Sequence, residues 1–361
     1  METSAVDWSM RDRTPGLIDW RSASQVARTV AGAGPAGTAE ERDALRESLS
    51  ADVASAEELV AGFTGMTSGG PGPRAWVMGR GDWVDANMRS IERSIEPMLV
   101  RTVEAHAGRG SAEGRKLRNK ALGAQIGGLF GYVSRKVMGQ FDPFLPPDDE
   151  GLIYFVGPNV LEAEARFGLR SQDFRTWISL HEVTHKVQFS HTVWLRGHVL
   201  TSIDSYIQMT QLDVKKMAEN LGRLLGEVRG GSQLKTLGVM YALMTPDQRA
   251  VFLRMQAMMA LLEGHASYVM NEVAERAGIS TLAHMKRMLS SRRSVGGLEK
   301  TFQQAIGFDQ KIRQYGTGEA FVSHVVERAG MEVFNRVWTS PGTLPHTEEI
   351  AEPERWLARV G

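Results

Sequence analysis

Two long helical stripes, each apolar and each broken by side chains that need a partner, constrain this chain more than any other feature. Residues 171–191, SQDFRTWISLHEVTHKVQFSH, set Phe174, Trp177, Ile178, His181, His185 and Phe189 at three- and four-residue spacing, so that one helix face carries them all. Ser171 is the expected N-cap, and Asp173 lies in the first turn, where the helix dipole favours an acid. Residues 246–277 repeat the pattern with Phe252, Met255, Met259, Glu263, Ala266, Met270 and Val273. Thr245 as N-cap, Pro246 at the first helical position and Gln248 closing a capping box predict where that helix starts, and Gly278 predicts where it ends. Its methionines read as packing.

The interruptions carry the chemistry. His181 and His185 stand one helical turn apart, so their imidazoles project side by side and can hold one divalent ion, with Glu182 in reach of a water on it. This is the HExxH arrangement of zinc hydrolases. Two neutral nitrogens bind the metal, the metal lowers the pKa of its water toward about 7, and the glutamate takes the proton and delivers it to the leaving group.

Such a site needs a third protein ligand. Glu263 is preferred, because an uncompensated carboxylate on an apolar stripe would cost several kcal/mol, and a cation shared with two neutral histidines would satisfy it. His191 has the histidine spacing of the metzincin motif. Gln188, however, stands where that motif has the glycine that turns the chain, and on a continuing helix His191 lies about 240° around from His185. His265 points about 200° away from Glu263 on a regular helix; Gly264 could break that regularity, and otherwise His265 is a core histidine bonded to a carbonyl. Tyr315, in KIRQY, is either an oxyanion donor or a half-buried ring at a helix start. Arg292-Arg293 is a solvated pair or a contact for a substrate carboxylate.

Elsewhere Gly- and Pro-rich breaks at 32–37 and 67–73 separate helix-forming runs, among them 39–63. Gly123, Gly127 and Gly131 recur every four residues and form a flat strip for a second helix. The apolar run around them, 121–133, is too short to span a membrane. Leu152 to Val156 is the best strand signal, and a further long helix is expected over 199–228. The prolines and acids of DPFLPPDDEG mark a boundary, dividing the chain into an N-terminal helical region, 1–141, and a metal-binding catalytic region, 142–361, unless the two are continuous. Lys+Arg and Asp+Glu balance at 42 each, which argues against nucleic acid as a partner. The absence of cysteine limits a metal site to His, Asp and Glu and fits a reducing compartment. With no secretory signal in METSAVDWSMRDRTPG, the expected location is cytoplasmic.

Several separated motifs in this chain resemble one known family. They are GQFD (139–142), YFVGPN (154–159), the run from Trp177 through HEVTHKVQF to Phe189, WLR (194–196), EGH (263–265), KIRQYGTGEAF (311–321), and the ending with Pro353 and Trp356. In this order they are similar to the zincin-like zinc-dependent metallopeptidases, a group also described as coenzyme F-420 biosynthesis-associated. The resemblance implies a mainly α, zincin-like fold with minor β-structure. It matches His181 and His185 to the family's metal ligands and Glu182 to its base, and in glutamate zincins a glutamate on a later helix completes the site, as Glu263 would here. The expected function is a hydrolase with Zn2+ as cofactor, a peptidase acting on a peptide or small amide. The alternatives are a non-catalytic helical binding protein whose zinc only pins 172–190 to 246–277, and a zinc hydrolase of a non-peptide amide or ester.

Overall fold

Glycine and proline place the breaks, and helices fill the intervals between them. The computed structural model describes residues 17–104, 112–146, 150–209, 244–292 and 318–361. Helix α1 (Trp20–Ala31) starts at Asp19, whose carboxylate accepts from Ser22 N, and α2 (Ala39–Thr64) starts on a capping box between Thr38 and Glu41. After these come α3 (Arg80–Glu104) and α4 (Ala112–Ser134). The glycine strip of α4 lies against the backbone of α1. A Cβ on Gly123, Gly127 or Gly131 would sit 2.3, 2.2 and 2.5 Å from the carbonyl oxygens of Asp19, Ala23 and Ala27.

Three short strands form one sheet in the order β1 (Arg74–Met78), β3 (Leu152–Val156), β2 (Gly139–Phe141). β1 runs parallel to β3, while β2 is antiparallel to it and forms an edge. Leu152 to Val156 is the strand that its β-branched and aromatic residues predict. β1 and β2 escaped the sequence reading because one alternates exposed and half-buried positions and the other is three residues long. Pairing with β3, rather than intrinsic propensity, makes them strands.

The C-terminal part continues with α5 (Gly157–Phe167), α6 (Ser171–His191), α7 (Leu195–Met209), α8 (Pro246–Arg276) and α9 (Leu282–Arg292). Next come α10 (Gly318–Ala329) and the short helices α11 (Met331–Phe334), α12 (Thr347–Ala351) and α13 (Pro353–Val360). The chain is mainly α with a small sheet. One hydrophobic cluster joins Leu45, Leu49 and Val53 of α2 to Trp177 and Val183 of α6, Leu261 and Val269 of α8, Phe321 of α10 and Trp356 of α13. Elements from both sides of residue 142 thus meet in that cluster and in the sheet.

α8 has the predicted capping box between Thr245 and Gln248 with Pro246 at its start, and Gly278 follows its end in left-handed conformation. The expected Ser171 cap is corrected. Ser171 is the first helical residue of α6, and its hydroxyl donates to Glu164 Oε2, already held by Arg175. The helix expected over 199–228 is described from Leu195 to Met209, and its remainder lies outside the described residues. Among the described residues no helix is long and apolar enough to cross a membrane.

The α1–α4 contact generates a prediction. Gly127→Ala would gain about 1 kcal/mol of helix propensity, but its methyl would meet the Ala23 carbonyl at 2.2 Å, and no rotamer change moves a backbone oxygen. Packing should win, with a net loss of about 1–3 kcal/mol in denaturant unfolding.

Candidate metal centre

The site lies where α6 packs on α8. Behind it α8 is pressed against the start of α10. A Cβ on Gly264 would fall 2.1 Å from the Gly318 backbone, and one on Gly318 would fall 1.7 Å from the Ala260 carbonyl. Only hydrogen at both positions allows this approach, which sets the height of the turn that carries Glu263.

On the other face of that contact three donors converge. His181 Nε2 and His185 Nε2 are 3.2 Å apart, and Glu263 Oε2 and Oε1 lie 3.4 and 3.5 Å from them. Among the described residues these three form the cluster of His, Asp and Glu able to hold a metal ion. A tetrahedral zinc with bonds of about 2.05 Å imposes ligand–ligand edges of about 3.3 Å, so the triangle has the size such an ion requires. The side chains keep 22, 13 and 19% of their exposure, so the cluster is not sealed from solvent.

Electrostatics favour positive charge here. Burial works against the His185 imidazolium, but the neighbouring Glu263 carboxylate outweighs it and raises that pKa to about 9. Burial likewise opposes the charge on Glu263, yet His185 and His181 hold it well below the usual carboxylate range. A carboxylate stabilised in this way between two imidazoles suits a divalent cation, which supplies the same charge while leaving both rings neutral.

Glu182 lies beside the triangle on the neighbouring line of α6. Its Oε2 accepts from Phe141 N at 3.0 Å, an N–H of edge strand β2 turned away from β3. Gly139 leaves room for the carboxylate, since a Cβ there would lie 2.7 Å from Glu182 Cγ and Oε1. Burial raises the Glu182 pKa, with the two histidines and the Phe141 N–H pulling the other way.

The other sequence candidates lie apart from the triangle. His191 ends α6 exposed, its Nδ1 against Thr67 O at 3.1 Å, because the helix continues regularly through it. His265 is fully buried, stacked on Phe334 at 5.2 Å and edge-on to Trp338, with burial and His185 holding its pKa down to about 3. It is a core histidine, but its Nδ1 meets the Gln188 side-chain amide at 3.0 Å rather than a carbonyl. Tyr315 and Arg293 lie outside the described residues, and Arg292 closes α9. Two residues that the sequence reading gave no role, Gln188 and Phe141, touch His185 and Glu182. The only signal for Gln188 was its place where a glycine is usual, and Phe141 acts through its backbone, which no side-chain pattern reveals.

Two histidines one turn apart and a glutamate from a later helix are the donor set of a glutamate zincin. The chain belongs to the zincin-like metallopeptidase family, whose sequence model matches residues 18–357. It is also similar to a protein of known crystal structure from Chloroflexus aurantiacus, provisionally described as a hydrolase with a novel fold. The two share 32% identity with a TM-score of 0.67, over 95% of this chain and 98% of that one. No curated protein matches the chain. Family and neighbour together support a metallohydrolase, and neither speaks of coenzyme F-420.

Metal analysis and titration provide the check. About one zinc per chain is expected, chelation should lower the unfolding temperature, and His181→Ala with His185→Ala should remove both the metal and the chelator effect. Equal zinc uptake by that double variant would place the metal elsewhere.

Proposed function

We propose that this chain is a zinc-dependent peptidase in which His181, His185 and Glu263 hold the metal and Glu182 is the general base. The observation that carries this reading is the triangle of donors at tetrahedral-edge spacing, partly exposed to solvent, with a buried carboxylate next to it. Among the described residues no fourth His, Asp or Glu closes the cluster, which favours catalysis over a purely structural ion. When bound, zinc would supply Lewis-acid polarisation of the scissile carbonyl and acidify a water.

The protein residues do the rest. Glu182 takes a proton from the attacking water and returns it to the leaving nitrogen. A carboxylate whose pKa burial has raised serves both steps better than an exposed one. The Phe141 N–H holds one carboxylate oxygen, which fixes the plane of the group. Glu263 offsets metal charge at the back of the site. A peptide or small amide is the substrate class that this reading carries.

Glu182→Gln separates chemistry from metal binding. The amide oxygen can still accept from Phe141 N–H, so zinc content and fold should persist while hydrolysis of a peptide library falls by about 10²–10⁴-fold. Full turnover in that variant would defeat the mechanism. Gly139→Ala, which drives a methyl into Glu182, should retain zinc and lose turnover in the same direction.

A further inference from the structure

Gln188 stands one turn beyond His185 on α6, is completely buried, and has every polar hydrogen and its oxygen engaged. Its Oε1 lies 2.9 Å from His185 Nδ1. Its Nε2 lies 2.8 Å from the carbonyl oxygen of Leu262 and 3.0 Å from His265 Nδ1. Leu262 O is an obligate acceptor, so the amide nitrogen must face it. A flipped amide would set its oxygen against the Leu262 carbonyl oxygen. The amide orientation is therefore fixed from the α8 side, and its oxygen is turned onto the His185 ring.

From this geometry we infer that Gln188, itself oriented by Leu262 O and His265, is the positioning residue that holds the His185 proton on Nδ1 and turns Nε2 toward His181 and Glu263. The inference rests on the metal-site reading above. The same side chain also sets a distance. Leu262 directly precedes Glu263, so Gln188 bridges the helix that carries His185 to the turn that carries the opposing carboxylate. One buried amide thus fixes both the tautomer of one donor and its separation from another. His265 has no donor role in this arrangement. Its stacking on Phe334 and edge contact with Trp338 hold Nδ1 where it can accept from the amide.

Zinc affinity, measured by competition with a chelating indicator, tests this on the full chain. Gln188→Met keeps length and bulk but removes the acceptor and both donors, and affinity should fall by about 10–100-fold. His265→Phe keeps the stacked ring and removes one acceptor, so a smaller loss in the same direction is expected. Val187→Ala opens a cavity on the same helix without touching the relay; it should lower unfolding temperature and leave zinc affinity unchanged. In zinc-loaded wild-type protein, nitrogen–proton correlation spectra should show a single His185 species with its proton on Nδ1, and in Gln188→Met this signal should split or exchange rapidly. A purely structural role for Gln188 would not move it. If wild type binds zinc but Gln188→Met binds it within about twofold as tightly, with His185 unchanged, the relay is overturned. If wild type takes up no zinc, the metal-site reading itself fails.

Discussion

The packing of α6 on α8 is the contact on which the site depends. Each helix alone presents an apolar stripe with misplaced polar groups: two imidazoles on one, a carboxylate on the other. Brought together, these groups lie within 3.5 Å of one another, and the cost of burying the charge on Glu263 is offset by the histidines facing it. Displacing either helix by a fraction of a turn would separate the donors and leave a carboxylate buried without compensation.

That spacing is enforced from several directions. Gly264 and Gly318 let α10 press on α8 at backbone contact distance. On the far side of α6, Lys186 is 2% exposed and is held by Glu57 of α2 and by Ser68. At the N-terminal end of α6, Arg175 pairs with Glu164, and Thr176 and Gln172 bind Asp52 of α2. The sheet contributes less mass but places one backbone group at the site, the Phe141 N–H on Glu182. The helix that carries the HExxH motif is thus fixed by polar contacts along its length, while its stripe supplies hydrophobic burial.

Much of this was legible because it is local. Thr245, Pro246 and Gln248 announce the start of α8 through capping chemistry that involves only neighbouring residues. The four-residue glycine period of α4 revealed a close helix contact, though not that α1 would be the partner. The stripe on α8 singled out Glu263 as a side chain in need of a counter-charge, and the fold sets it against His181 and His185. Local capping rules point to Ser171 as the cap, but Glu164, on the preceding helix, takes its hydroxyl. β1 and β2 were not readable, since each becomes a strand only by pairing with β3.

From composition and periodicity alone follow a mainly helical, cysteine-free chain, the two amphipathic helices and the pair of imidazoles one turn apart, because these depend on hydrogen bonds and side-chain spacing within a few residues. Tertiary structure decided which carboxylate meets the imidazoles, that His191 faces away, that His265 contacts an amide instead of the triangle, and that a backbone N–H from residue 141 steadies Glu182. Those outcomes depend on helices and strands separated by tens of residues arriving at a common place, and the energy that brings them there is spread over the whole core rather than recorded in any one stretch of chain.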